Sequence, residues 1–132
     1  MGSGGAALAA AYTAAKSGLR TLVLEKTEFF GGTSAYSGAG IWLPGNQAQH
    51  RAGVPDSVDL GRAYFKAVVG DDTPRENQEA YLSTGPELVE FLERDPGLEF
   101  AGHAYPGPGT PLGSGMVFAY RAARHLSAAV IG

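Results

Sequence analysis

A glycine-rich turn opens the chain, in register with a helical stretch, an extended stretch and an acid. Gly2-Ser3-Gly4-Gly5-Ala6-Ala7 fits the pattern G-x-G-x-x-G/A. In that pattern the first glycine makes a tight turn and the second lets the backbone approach a pyrophosphate. A small third residue, here Ala7, allows close helix–sheet packing. Taken alone, "MGSGG" is equally readable as a flexible leader. The next twenty residues narrow the choice. Residues 5–17 are rich in Ala, the best helix former, and Gly18 stands where a helix stop belongs. "RTLVLE" at 20–25 has the Leu-Val-Leu run of a strand buried on both faces. It ends in Glu25, 21 positions after Gly4, and the pattern asks for an acid roughly 20 residues on to hold ribose hydroxyls. The alternative for Glu25 is a solvated acid at a strand end. A helix starting at this turn would aim its free N–H groups and positive dipole end at phosphates. The pattern also needs a strand before its first glycine, and only Met1 precedes it. The expected fold class is therefore α/β: an incomplete Rossmann-like domain lacking its first strand.

Composition narrows the alternatives. Glycine accounts for 20 of 132 residues, about twice the usual level of roughly 7%. The glycines cluster at 2–5, 31–40 and 102–115, which favours binding loops over low complexity. The net charge of −3 gives no basic footprint, so no nucleic-acid partner is expected. With no Cys, there is no thiolate metal site and no cysteine nucleophile. His50, His103 and His125 lack metal-ligand spacing, so no metal is expected. No apolar run reaches the roughly 18 residues of a membrane span. The Ala-rich stretch has no basic segment before it, and the default expectation is a cytoplasmic protein.

Further along, residues 26–56 read mostly as loop. Residues 57–69 read as a helix capped by Asp56 or Ser57, with Gly61, Tyr64, Phe65 and Val68 on one face. Residues 75–94 read as a helix broken near Gly85-Pro86, with Leu88, Phe91 and Leu92 as its stripe and Asp95-Pro96-Gly97 as its end. "LEF" at 98–100 reads as a short strand and 102–115 as an irregular loop. Residues 116–120 read as a strand and 121–130 as a final helix. The expected division is a partial dinucleotide-binding segment, 1–56, and a helical and Gly/Pro-loop segment, 57–132.

The second glycine cluster, "EFFGGTSAYSGAGIWLPGN" at 28–46, comes directly after the acid. A plain NAD-binding Rossmann module would continue through a helix to a third strand, so the loop at Gly32-Thr33-Ser34 argues against that reading. "GSGGAALAAAYTAAKSGLRTLVLEK" followed by "GGTSAYSGAGIWLPGN" resembles the FAD-dependent oxidoreductases of the fumarate reductase/succinate dehydrogenase flavoprotein class. "SGAGIWLPGN" leans toward its 3-ketosteroid Δ1-dehydrogenase branch. The resemblance is strongest over residues 2–46 and looser to about 105.

The resemblance implies FAD as cofactor. Gly2, Ser3, Gly4 and Ala7 would line its pyrophosphate. Glu25 would hold the adenosine ribose, with Lys26 and Thr27 near the adenine side. Gly32, Thr33 and Ser34 would meet the diphosphate and ribityl chain. Ser37, Gly38, Ala39 and Gly40 would lie along the isoalloxazine ring, with Trp42 and Asn46 at its far edge. Turn-forming hydroxyls and, for Trp42, core packing are the alternatives. The resemblance also implies Δ1-dehydrogenation of a 3-ketosteroid. A Tyr base takes a proton from C2, a hydride leaves C1 for flavin N5, and a second Tyr with a backbone N–H polarises the 3-keto oxygen. Most of those residues lie downstream of this segment in the family. Tyr105 is the one catalytic candidate here. "FAGHAYPGPGTPLGSGM" keeps Tyr105-Pro106 but has Gly107-Pro108 where the family carries Asp-Tyr, and a loop aromatic with its hydroxyl in water is the alternative. Residues 57–132 would begin the cap or substrate region. A non-catalytic remnant or interaction fragment stays open, because apolar faces built for missing parts would favour self-association.

Overall fold

Alanine sets the first element. The structure, a computed structural model, describes residues 2–37, 40–102 and 110–131. Helix α1 spans Gly5–Lys16, within a residue of the span that its Ala content predicts. It ends in a full Schellman arrangement. The Gly18 N–H donates to the Ala15 carbonyl and the Leu19 N–H to the Ala14 carbonyl, both at 3.0 Å. Gly18 takes the left-handed conformation this requires, φ +83°.

The described chain divides into two compact units, Met1–Ile41 with Pro108–Gly132, and Trp42–Gly107. The expected 56/57 division, drawn from the order of elements, is a functional one and is separate from this spatial division. In the first unit α1 packs on the long helix α5, Thr110–Ile131. Ala9 and Thr13 are buried on α1, and Tyr120, Ala123 and Ser127 on α5. Those spacings keep each set on one helix face. The two buried hydroxyls bond within their own helices, Thr13 Oγ1 to the Ala9 carbonyl at 2.7 Å and Ser127 Oγ to the Ala123 carbonyl at 2.8 Å, so neither is left unsatisfied.

Helix α5 corrects the expected strand at 116–120 and the loop reading of 110–115. A short apolar run such as Met116-Val117-Phe118 is ambiguous between helix and strand. The burial spacing of Tyr120, Ala123 and Ser127 shows which period operates from Tyr120 onward. The strand expected at 20–25 is also corrected: these residues carry no strand assignment. A strand exists only with a neighbour to complete its ladder. The Gly2 N–H donates to the Leu24 carbonyl at 2.7 Å, and among the described residues no second segment extends that pairing. Leu22 and Leu24 stay 79% and 54% exposed.

The second unit is helical. Its elements are α2 (Gln47–Arg51), α3 (Val58–Val68) and α4 (Arg75–Glu93). The first of these interrupts the expected 26–56 loop, as does a 3-10 turn over Gly32–Tyr36 in the first unit. Ser57 is the α3 cap, its Oγ accepting the Leu60 N–H at 3.1 Å. Asp56 instead receives the Gly45 and Ser57 N–H groups at 2.8 and 2.9 Å. Gly61 and Phe65 turn inward, while Tyr64 and Val68 are exposed.

No break occurs at Pro86; α4 runs through it. Interior proline costs about 3 kcal/mol. Leu82, Leu88, Val89 and Leu92 are all buried on the same helix, each worth roughly 1.5–3 kcal/mol, and together they outweigh that cost. The Asp95-Pro96-Gly97 end falls as expected, with the Leu98 N–H donating to the Asp95 carbonyl at 3.0 Å. Residues 98–100 form no strand; the Phe100 N–H is taken by Glu93 Oε1 at 3.0 Å, which removes it from any ladder. Glu93 also forms a bidentate pair with Arg51, with contacts of 2.5 and 2.9 Å.

Candidate functional site

In the first unit the structure brings the opening turn, the acid and the second glycine loop together. Ser3 is the junction. Its N–H and its hydroxyl both donate to Glu25 Oε2, at 2.9 and 2.5 Å. The same hydroxyl accepts the Gly31 N–H at 2.7 Å. The Gly5 N–H, at the first turn of α1, donates to Ser34 Oγ at 2.9 Å. These bonds join residues 22 to 29 positions apart. The two loops also touch through glycine: a Cβ on Gly32 would lie 3.4 Å from the Gly4 Cα.

Glu25 is the electrostatic centre. Besides Ser3, its Oε1 accepts the Lys26 and Thr27 N–H groups at 2.7 and 3.0 Å and the Thr27 hydroxyl at 3.2 Å. Its carboxyl is held down to about 2 from a usual 4.5, first by the Ser3 hydroxyl, then by the backbone N–H groups of Thr27, Ser3 and Lys26. Hydrogen bonds to the charged form are the cause, and they outweigh the opposing desolvation. The Thr27 hydroxyl also donates to the Phe29 carbonyl at 2.7 Å, which ties down the start of the next loop.

The other expected residues lie around this junction or beyond it. Ala7 lines an open apolar groove of about 380 Å³ with Ala11, Leu22, Leu24, Ala123 and Leu126. Gly32 and Thr33 are exposed on the 3-10 turn. Ser37 folds back on that turn, its Oγ donating to the Ser34 carbonyl at 2.8 Å. Gly40 is exposed. Gly38, Ala39 and Tyr105 lie outside the described residues.

Trp42 and Asn46 belong to the second unit and have structural partners there. Trp42 packs with Tyr64 and Phe65 at 5.3 Å each and with Tyr81 at 6.1 Å between ring centroids. The Tyr81 hydroxyl donates to the Trp42 carbonyl, and burial pushes its pKa up. Asn46 caps α2, accepting the Gln49 N–H at 3.1 Å and donating to the Leu43 carbonyl.

Sequence alone assigns no role to Gly31 or Gly5, yet both supply N–H groups to the junction. For Gly31 a signal exists. It is the first of a Gly-Gly pair, and its φ is +109° with a notional Cβ only 2.7 Å from that of Ala35. No other residue fits there without strain.

Chemically, the junction offers N–H donors and small hydroxyls beside an ionised carboxylate. Such a set suits a ligand carrying both anionic oxygens and a diol. The backbone is open at Gly2, where an added Cβ would meet nothing within 4 Å. At the helix start the Gly5 N–H is already taken by Ser34 Oγ, as an anionic oxygen at a helix N-terminus would take it.

Comparison with known proteins agrees in kind. A family model described as "FAD binding domain" matches residues 1–129. A 3-oxosteroid 1-dehydrogenase of Rhodococcus opacus is 58% identical over 106 residues, covering 80% of this chain and 21% of the relative. The 3-oxosteroid 1-dehydrogenase of Mycolicibacterium smegmatis is 41% identical over 116 residues, 86% of this chain and 20% of the relative. Among solved structures, the 3-ketosteroid delta1-dehydrogenase of Sterolibacterium denitrificans in complex with 1,4-androstadiene-3,17-dione matches with a TM-score of 0.65 and 37% identity. It covers 71% of this chain and 16% of that one. The chain thus spans about a fifth of the length of the curated relatives it matches.

Proposed function

Because the chain belongs to the FAD-binding domain family, we propose that it is the cofactor-binding N-terminal portion of a flavoprotein that dehydrogenates a 3-ketosteroid-like ring ketone. The observation that carries this reading is the bonding of Ser3 to Glu25 and Gly31 and of Gly5 to Ser34, across 22 to 29 positions of sequence. The donor set and the open backbone at Gly2 fit FAD. Gly2, Gly4 and Ala7, with the Ser3 backbone, would hold the diphosphate, and Glu25 the ribose, with Lys26 and Thr27 toward the adenine. Gly32, Thr33 and Ser34 would hold the diphosphate and ribityl chain. Ser37, Gly38, Ala39 and Gly40 would run along the flavin ring, and Tyr105 is the substrate-facing candidate. The chemistry such a cofactor supplies is hydride acceptance. The layout is that of a Rossmann-like domain with residues 1–56 as its cofactor segment, and the Gly2–Leu24 backbone bond supports it.

A second reading, a non-catalytic fragment that docks on another chain or on its own copies, is favoured by the exposure of Leu22 and Leu24. The absorbance spectrum of the purified chain separates the two. A retained yellow flavin, displaced by excess ADP, supports the cofactor reading. A folded chain that takes up no flavin supports the fragment reading, and NADH binding without flavin overturns the proposed cofactor.

A further inference from the structure

Ser3 is 2% exposed, and its hydroxyl both gives and receives at the junction. It donates to Glu25 Oε2 at 2.5 Å and accepts the Gly31 N–H at 2.7 Å. Five donor atoms reach Glu25, Ser3 N and Oγ, Lys26 N, and Thr27 N and Oγ1; the single proton of Thr27 Oγ1 has its shorter bond to Phe29, which leaves four full donors. An ionised carboxylate has about four lone-pair sites, so a ribose hydroxyl reaches Glu25 only by displacing one of these. Three of the five are backbone N–H groups, which move only with their loops. The two hydroxyls move by rotating one side chain. The Thr27 hydroxyl is the more weakly engaged with Glu25, at 3.2 Å, and also donates to the Phe29 carbonyl. Ser3 differs because it also holds the Gly31 N–H, a donor an anionic oxygen would use.

We propose that the Ser3 hydroxyl is a built-in competitor for the dinucleotide. As a donor it stands at Glu25 where a ribose hydroxyl would, and as an acceptor it stands at Gly31 where a diphosphate oxygen would. Binding then requires the hydroxyl to turn away, which frees one acceptor and one donor for the two parts of the ligand. Ser3 is thus a positioning residue that sets affinity and association rate, rather than a direct ligand through its side chain. This inference rests on the FAD reading.

The test uses the whole 132-residue chain and reads binding, not turnover. FAD is followed by quenching of flavin fluorescence and ADP by calorimetry, for the unaltered chain, Ser3→Ala and Ser3→Thr. Ser3→Ala removes the competitor and leaves the Ser3 backbone bond to Glu25. It is expected to tighten both ligands roughly three- to tenfold, the effect of one net hydrogen bond. Ser3→Thr keeps a hydroxyl and is expected to bind like the unaltered chain. Weaker or unchanged binding by Ser3→Ala overturns the proposal and leaves the FAD reading standing. If Ser3→Ala does not fold, Ser3→Gly, which also lacks the hydroxyl, decides: weaker or unchanged binding by it overturns the proposal. Failure of the folded, unaltered chain to bind either FAD or ADP overturns the cofactor reading and the competitor with it.

Discussion

Glu25 keeps its charge by exchanging water for donors of its own chain. Its carboxyl sits at about 2 in the folded protein against 4.5 for the free group. A depressed carboxyl stabilises the fold above its unfolded value, and that contribution is lost as pH falls toward the folded value. The first unit should therefore lose stability between about pH 4.5 and about pH 2, and Glu25→Gln should flatten that part of the profile. Urea titrations followed by α1 amide resonances at several pH values check this; a variant with an unchanged slope would refute it. Gly61 makes a second point at this scale, about space. A Cβ there would come within 2.5 Å of Pro44 Cγ and 3.0 Å of Leu82 Cδ2. Gly61→Ala should destabilise the second unit by about 1–3 kcal/mol through overpacking, read as a lower urea midpoint by Trp42 fluorescence.

Caps and burial decide where the helices run. The Ser57 hydroxyl satisfies the Leu60 N–H at the start of α3, one of the few N–H groups a helix leaves unpaired. Ser57→Ala should cost about 1 kcal/mol, measured by the same denaturation, while Ser57→Asp should keep most of the stability. Failure of Ser57→Ala to shift the midpoint would mean that Asp56 or water takes over the cap. Pro86 shows the opposite balance. A local signal for a break loses to the buried side chains that flank it, Leu82 and Leu88 being 1% and 0% exposed.

At the scale of the whole molecule, the first unit presents apolar surface along 22–24, with Leu8, Phe29 and Phe30 also exposed. Among the described residues no helix is long and apolar enough to cross a membrane. The self-association proposed as the second reading would use exposed apolar groups of this kind. Leu22→Lys is expected to lower self-association of the chain in light scattering while leaving its helix content unchanged by circular dichroism. Unchanged association would place the contact elsewhere.

Local chemistry was enough to read α1, its Gly18 stop, α3 with a cap at Asp56 or Ser57, the Asp95-Pro96-Gly97 turn and the spacing of Glu25 from the first glycine turn. Each depends on groups close in sequence or on a fixed register of turn, helix and acid. Three things were decided only by tertiary structure. Residues 20–25 form no strand, because a ladder depends on a neighbour that local sequence does not contain. Residues 116–120 belong to helix α5, which a short apolar run, ambiguous between helix and strand, could not reveal. The Ser3 hydroxyl faces Glu25 and Gly31 rather than standing free, because a buried hydroxyl takes whatever donor and acceptor the converging loops bring within reach.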